Sequence, residues 1–225
     1  VPKGSNELGI GGIIMIPSGK QVITGNYAAA FGVALCRPRV VTAYPITPQT
    51  SIAEKLANLC AKSDLNAEFI NVESEHSAMC ACIGASAAGV RVFTATSSHG
   101  LLLMHELLHW ASSIRRPIVM ANVNRAIGLP WNIWPDQTDS LSQRDTGWLQ
   151  FYCESGQEVL DTIIQAYKIA ENEKVLLPVM VVSEGFVLSH TGEIVDIPAQ
   201  EKVDAFLAGS QPKSILDIND PCAVG

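Results

Sequence analysis

Polar side chains of three chemical kinds follow β-branched runs in this sequence. Thr47 lies in a loop, Tyr44–Pro48, after the first run, Glu75 follows the second run, and Arg125 follows the fourth. An arginine with a threonine beside it suits a substrate that carries a carboxylate, because the planar guanidinium donates paired hydrogen bonds. A glutamate directly before an apolar helix is expected to be a partly buried acid. Because chemistry in a parallel sheet collects beyond the carboxyl ends of the strands, we expect these groups to form one site.

These groups are positioned by a regular alternation of short β-branched runs and longer helical patterns. Strands that alternate with helices predict an α/β fold, with a parallel sheet and helices on both faces. The predicted strands are Val40–Tyr44, Phe69–Val72, Arg91–Ala95, Ile118–Asn122, Trp148–Tyr152 and Leu177–Val182. The predicted helices are Ile52–Cys60, His76–Ala88, Leu101–Ser112 and Glu158–Glu171.

The alternation of strands and helices also suggests how the chain is organised. Residues 1–24 include a Gly-rich, irregular stretch and are expected to form an N-terminal arm. Residues 25–195 carry the alternation and form the predicted domain. Residues 196–225 are polar and contain scattered prolines, which predicts a tail or a linker toward a second domain that is missing from this chain.

Composition excludes several classes of protein. Of 225 residues, 48% are hydrophobic and only 16% are charged, which rules out a disordered chain. Fifteen basic and 22 acidic residues give a net charge of −7, so we expect no nucleic-acid partner and no anionic membrane partner. The longest apolar runs fall far below the roughly 20 residues that a membrane-spanning helix needs.

The six cysteines include no C-x-x-C pair. This spacing predicts reduced thiols in a cytoplasmic protein and argues against an iron–sulfur cluster held by this chain alone. The segment His105–His109 matches the H-E-x-x-H zinc pattern, but Arg115 occupies the position of a third histidine ligand. We therefore expect hydrogen-bonded structural histidines and no metal site.

Two other segments have alternative interpretations. Ser98 stands at a strand-to-helix junction with Gly100 behind it, which leaves a serine hydrolase as a distant alternative, although Thr96 replaces the first glycine of the nucleophile elbow. The loop that contains Trp131 and Trp134 is rich in charged residues, but two tryptophans are costly to leave in water. We expect a partner to cover this loop.

Specific sequence blocks resemble a known family. The chain is similar, from about Gly25 to Leu207, to the alpha subunit of pyruvate:ferredoxin oxidoreductase (pyruvate synthase), in the 2-oxoacid:ferredoxin oxidoreductase family. The blocks Y-P-I-T-P and E-S-E-H-S-A together are highly specific for it. The blocks that carry the resemblance are Thr42–Ala57, Phe69–Gly89, Arg91–Glu106, Arg115–Ala126 and Asp139–Gln150.

The resemblance implies the pyrimidine-type domain of a thiamine diphosphate enzyme. Such an enzyme oxidatively decarboxylates a 2-oxoacid, here pyruvate, and forms acetyl-CoA, CO2 and reduced ferredoxin, or runs in reverse. By resemblance, Glu75 is the activating acid at the aminopyrimidine ring, and Thr47 and Arg125 bind the substrate carboxylate. Pro45 and Ile46 are expected to contact the cofactor together with Glu75.

The resemblance also predicts what other chains supply. The G-D-G motif that binds Mg²⁺ and diphosphate is absent from the sequence, so a beta-type subunit is expected to carry it. Gamma- and delta-type subunits complete the enzyme, [4Fe-4S] clusters lie on partner subunits, CoA is the co-substrate, and ferredoxin accepts the electrons. Alternatives that stay open are a branched-chain 2-oxoacid or a 2-oxoglutarate enzyme, and a non-catalytic assembly subunit.

Overall fold

In the part of the chain that the structure describes, eight strands form one parallel sheet and one separate antiparallel pair. The computed structural model describes residues 16–213 and 215–219. The strands are β1 (Gly19–Thr24), β2 (Val40–Ala43), β3 (Glu68–Asn71), β4 (Val92–Thr96), β5 (Val119–Asn124), β6 (Leu149–Cys153), β7 (Val179–Glu184) and β8 (Gly192–Ile197). The main sheet has the order β3-β2-β4-β5-β7-β6, and every neighbouring pair is parallel. The predicted parallel sheet is therefore confirmed.

Helices cover both faces of the sheet, as the sequence predicts. They are α1 (Gly25–Leu35), α2 (Thr50–Ala61), α3 (Glu75–Ala87), α4 (Ser98–Leu103), α5 (His105–Ser113), α6 (Thr138–Leu141), α7 (Gly156–Ala170), α8 (Val187–His190) and α9 (Gln200–Phe206). Side chains of α1, α2 and α7 form one buried cluster with the sheet, and those of α3, α4 and α5 form a second. In β4, Phe93 belongs to the first cluster and Val92 to the second, as alternating side chains require.

The helices of the structure differ from the sequence predictions in two places. The single helix predicted over Leu101–Ser112 is two helices that meet at Met104, and the first of them begins at Ser98. Helix α1 was not predicted, because its sequence has no polar face. Its residues Ala28 and Ala30 are fully buried, since α1 packs between α2, α7 and the antiparallel strands. A helix that is apolar all round lacks the periodicity from which helices are read.

The predicted arm and tail contribute to the fold where the structure describes them. Strand β1, inside the predicted arm, pairs antiparallel with β8, which crosses the predicted boundary at residue 195. Beyond that boundary, Ile197 and two side chains near α9, Val203 and Leu207, are buried in the first cluster. Residues 1–15 lie outside the described residues. The division into arm, domain and tail stays a prediction, and these contacts join its parts.

A buried ion pair lies at the opposite edge of the sheet from the predicted site. Arg91, just before β4, donates from Nε and NH2 to the carboxylate of Glu171, at 2.6 and 2.9 Å. It also donates to the backbone oxygens of Cys36, at 3.0 Å, and Ser210, at 2.6 Å. Buried charges of this kind are tolerated only when they are paired and hydrogen-bonded.

The described cysteines are free thiols. Cys36 and Cys82 are buried, Cys80 is exposed, and Cys60 and Cys153 are intermediate. Burial raises the pKa of the Cys82 thiol to about 12 and that of Cys153 to about 11. Among the residues that the structure describes, no helix combines the length and apolar character needed to cross a membrane.

Candidate active site

The loop after β2 and the loop after β5 meet at the carboxyl edge of the sheet. Arg125, which follows β5 directly, donates from NH1 to the backbone oxygen of Thr47 at 2.8 Å. The Thr47 loop is itself anchored, because the Asn26 amide donates to the Pro48 oxygen and the Gln49 amide donates to the Tyr44 oxygen, both at 2.8 Å. The structure therefore brings Thr47 and Arg125 together, through the threonine carbonyl.

This contact leaves hydrogen-bonding capacity on both residues. Thr47 is exposed, and its hydroxyl makes no hydrogen bond within the described part of the chain. The Arg125 Nε is buried and has no hydrogen-bond partner there either. A guanidinium has five N–H donors, so one bond to a carbonyl does not exhaust it. The pair can therefore donate to an anionic ligand such as a carboxylate.

Glu75 is the first residue of α3 and lies at the same edge. Ser74 caps this helix, since its hydroxyl accepts a hydrogen bond from the Ser77 backbone N–H at 3.2 Å. The Glu75 residue is only 6% exposed, yet its carboxylate has no hydrogen-bond or ion-pair partner among residues 16–213 and 215–219. It packs against Thr96 and Gly100, at the end of β4 and the start of α4. A carboxylate of a nearly buried residue that has no protein partner is suited to a ligand that brings its own donor.

The Asp139 carboxylate connects several elements at the carboxyl edge of the sheet. Its carboxylate accepts five hydrogen bonds from N–H groups, including the backbone N–H of Ser98 at 2.9 Å and that of Arg125 at 3.2 Å. The other donors are the side-chain amides of Asn122 and Asn124 and the backbone N–H of Ser140. Asp139 therefore ties the start of α4 to the residue that carries the guanidinium.

The sequence does not indicate this role. Asp139 is one of several charged residues in the loop that we expect a partner to cover, together with Asp136 and Asp145. In the structure Asp139 is fully buried within the chain, whereas Asp136 and Asp145 are exposed. Nothing in residue type or spacing separates the three. The difference arises from which strand ends lie above the loop.

Ser98 has the backbone geometry of a strained strand-to-helix turn but not the accessibility of a nucleophile. Its φ is +49°, in the left-handed region, and the residue is fully buried. Its hydroxyl lies 2.8 Å from the Ala126 backbone oxygen, to which it donates, and 3.1 Å from His99 Nδ1. His99 Nε2 accepts a hydrogen bond from the Gly128 backbone N–H at 3.4 Å. Ser98 and His99 therefore fasten the loop after Arg125, which argues against the serine hydrolase alternative.

The histidines of the H-E-x-x-H segment lie on the surface. The His105 and His109 rings stand edge to face with centroids 5.0 Å apart, and His105 Nδ1 lies 2.6 Å from the Gln143 side-chain oxygen. The described residues contain no cluster of three or more His, Cys, Asp or Glu side chains placed to hold a metal ion. His105 is thus hydrogen-bonded, as expected.

An apolar loop projects from the same edge. Between β5 and α6, four large apolar side chains are between 49% and 76% exposed; they are Leu129, Trp131, Ile133 and Trp134. Such a cluster is typical of a surface that another protein covers. A cavity of about 260 Å³ lies beside this loop and is lined by Asn124, Asp136 and Glu184, among others.

The residues at this edge fit one half of a thiamine diphosphate site. Glu75 offers an unpartnered carboxylate to a ring nitrogen, and Pro45 and Ile46 lie in the loop after β2, neither of them buried. The sequence contains no Gly-Asp-Gly motif for Mg²⁺ and diphosphate. Contact of these groups with the aminopyrimidine ring stays a prediction.

The chain is similar to known proteins in sequence and in structure. A family model described as pyruvate flavodoxin/ferredoxin oxidoreductase, thiamine diphosphate-binding, matches residues 32–225. Ketoisovalerate oxidoreductase subunit VorA of Pyrococcus abyssi is 59% identical over 207 residues, which are 92% of this chain and 52% of that protein. Pyruvate synthase subunit PorA of Methanothermobacter thermautotrophicus is 57% identical over 205 residues, which are 91% of this chain and 54% of that protein.

A solved structure is also similar. It is 2-oxoglutarate:ferredoxin oxidoreductase from Magnetococcus marinus with 2-oxoglutarate, coenzyme A and succinyl-CoA bound. The TM-score is 0.73 at 26% identity, and the match covers 83% of this chain and 33% of that one. The chain spans about half the length of the curated relatives that it matches.

Proposed function

Because the chain belongs to the thiamine diphosphate-binding domain family of pyruvate flavodoxin/ferredoxin oxidoreductases, we propose that it forms half of the active site of a 2-oxoacid:ferredoxin oxidoreductase. The reaction converts a 2-oxoacid and CoA to acyl-CoA and CO2, with transfer of two electrons to ferredoxin, or runs in reverse. Pyruvate is the proposed substrate. The alternatives are a branched-chain 2-oxoacid and 2-oxoglutarate, since relatives named for ketoisovalerate and 2-oxoglutarate are also similar to this chain.

One observation carries this proposal. A nearly buried carboxylate with no partner in the described part of the chain, Glu75, lies at the same sheet edge as Arg125, whose guanidinium keeps free donors. Bound thiamine diphosphate supplies a carbon nucleophile and an electron sink for decarboxylation. Glu75 holds the proton that is shared with the aminopyrimidine nitrogen, and a general acid–base role of this kind contributes roughly 10²–10⁴-fold.

The other residues of the edge position the substrate. Arg125 and the Thr47 hydroxyl donate to the carboxylate of the 2-oxoacid, which fixes its carbonyl at attack distance. The backbone of Arg125 is held by Asp139, so the guanidinium projects from a fixed point. Pro45 and Ile46 provide backbone groups next to the cofactor ring.

We propose that partner subunits complete the site. A beta-type subunit supplies the ligands for Mg²⁺ and diphosphate, and the exposed tryptophan loop contributes to the surface that it covers. Gamma- and delta-type subunits and their [4Fe-4S] clusters carry electrons to ferredoxin. Because the described cysteines are free thiols, we place the enzyme in the cytoplasm.

The test is an assay of the assembled enzyme. The chain, coexpressed with its native partner subunits, is expected to reduce a low-potential dye only when a 2-oxoacid, CoA and thiamine diphosphate are present. Pyruvate, ketoisovalerate and 2-oxoglutarate are compared side by side, and the highest kcat/KM identifies the substrate. Full activity with Glu75→Gln would instead support a non-catalytic assembly subunit.

A further inference from the structure

Gly100 lies in contact with the carboxylate of Glu75. A Cβ atom built on Gly100 would clash with Glu75 Oε1 and would lie 2.8 Å from Glu75 Cδ. It would also lie 2.5 Å from the Thr96 hydroxyl oxygen. Side chains do not tolerate contacts this short, so any residue other than glycine at position 100 must displace Glu75, Thr96 or the helix. Because Gly100 has no side chain, the backbone of α4 can lie against the Glu75 carboxylate.

Packing, rather than hydrogen bonding, positions the Glu75 carboxylate. No hydrogen bond or ion pair holds the Glu75 carboxylate within the described residues, so packing alone fixes its position. Thr96 borders the same point, and its buried hydroxyl has no hydrogen-bond partner there. The first turn of α4 is in turn fixed, because Asp139 accepts the Ser98 backbone N–H.

Glycine is not required at position 100 by backbone conformation. The glycines with left-handed φ are Gly19, Gly89, Gly128, Gly147 and Gly209, and Gly100 is not among them. It is also not required by helix crowding in general, since a Cβ on Gly84, in α3, would have no atom within 4 Å. The requirement at position 100 arises from the Glu75 carboxylate and Thr96.

We propose that Gly100 is a positioning residue for Glu75. By bringing the backbone of α4 against the carboxylate, it holds Glu75 at the place from which the carboxylate reaches the cofactor ring. This inference rests on the proposed function, since it assigns a purpose to the position of Glu75. A side chain at residue 100 would leave Thr47 and Arg125 in place and move the Glu75 carboxylate.

The first test is Gly100→Ala in the assembled enzyme, with Gly84→Ala as the matched helical control. A displacement of about 1 Å at a reacting group costs on the order of 10²-fold, so kcat should fall by that order while KM for the 2-oxoacid changes little. Gly84→Ala should keep wild-type kcat. A crystal structure of the Gly100→Ala complex without thiamine diphosphate should show the Glu75 carboxylate displaced. Wild-type kcat, or a fall in kcat with Glu75 unmoved, would overturn the proposal.

A second measurement separates the contact from a general loss of folding. The melting temperature is compared for Gly100→Ala alone, Glu75→Ala alone and the double variant. Because the carboxylate is absent from the Glu75→Ala background, Gly100→Ala should lower the melting temperature less there than in the wild type. The Thr96 contact persists in both backgrounds, so a double variant that folds where Gly100→Ala alone does not would also support the proposal, and failure of both to fold would overturn it. Equal losses in both backgrounds would show that Gly100 does not act on Glu75.

The two proposals fail in different ways. If Glu75→Gln keeps full activity, the proposed function is wrong, even when the melting temperatures show that Gly100 contacts Glu75. If Glu75→Gln abolishes activity and Gly100→Ala does not reduce it, the proposed function stands and the role of Gly100 is wrong.

Discussion

Glu75 and Arg125 lie at one edge of one sheet, but the structure holds them in opposite ways. The Glu75 carboxylate is positioned by packing against Gly100 and Thr96 and has no hydrogen-bond partner in the described chain. The backbone of Arg125 is held by a carboxylate that accepts five hydrogen bonds, Asp139. In the proposed function, the group that exchanges a proton has no hydrogen-bond partner in the described chain, whereas the group that binds the substrate carboxylate follows a backbone held by several hydrogen bonds.

The largest expected effect follows from replacing Glu75 with glutamine. Glu75→Gln should lower kcat by roughly 10²–10⁴-fold, because an amide cannot take up or release the proton. The melting temperature should change little, since the carboxylate makes no hydrogen bond within the described residues. Steady-state kinetics and calorimetry on the same complex check this. A large fall in melting temperature would mean that Glu75 is structural.

Asp139→Asn, unlike Glu75→Gln, should reduce the stability of the fold. The amide nitrogen cannot accept, so at least two of the buried N–H groups lose their acceptor, which costs about 2–6 kcal/mol in the free energy of unfolding. Calorimetry should show a lower melting temperature. Asp145→Asn is the matched control, because Asp145 is exposed and lies 3.6 Å from exposed Arg144. Equal melting temperatures for the two variants would contradict the network.

Arg125→Lys tests the proposed binding of the substrate carboxylate by the guanidinium. Its expected effect is intermediate in size. Lysine keeps the charge but loses the planar fork, so kcat/KM for the 2-oxoacid should fall by the value of a charge-assisted hydrogen bond, about 1.5–3 kcal/mol or roughly 10–150-fold. Affinity for thiamine diphosphate, measured by calorimetry, should stay unchanged. Loss of cofactor affinity without loss of kcat/KM would place Arg125 at the cofactor instead.

Thr47→Val should have the smallest effect. The contact seen with Arg125 uses the Thr47 carbonyl and survives this substitution, so only the hydroxyl is lost. A neutral hydrogen bond contributes about 0.5–1.5 kcal/mol, and kcat/KM should therefore fall by roughly 2–12-fold. A larger loss than that of Arg125→Lys would reverse the proposed division of labour between the two residues.

Positions that depend on strand order could be predicted from the sequence, and positions that depend on contacts between distant elements could not. The sequence placed Thr47, Glu75 and Arg125 at the ends of parallel strands, and the structure has them at one edge. Asp139 was not predicted, because its five donors come from strand β5, the residue after it, and helices α4 and α6, which only the fold brings together. The need for glycine at position 100 was not predicted either, because it depends on where the fold places the Glu75 carboxylate.

The same distinction applies to the fold. The six strands of the main sheet were predicted because β-branched runs are a local signal. The pairing of β1 with β8 joins distant parts of the sequence, and α1 carries no polar face to mark it. Both features depend on burial by other elements rather than on local pattern.

The buried pair between Arg91 and Glu171 limits how the chain can be shortened for expression. The same guanidinium reaches the backbone oxygens of Cys36 and Ser210, so it binds a segment well beyond the boundary predicted at residue 195. A fragment that ends at that boundary keeps the buried cation but removes one of its acceptors. Fragments for crystallisation or screening should therefore extend at least to Ser210.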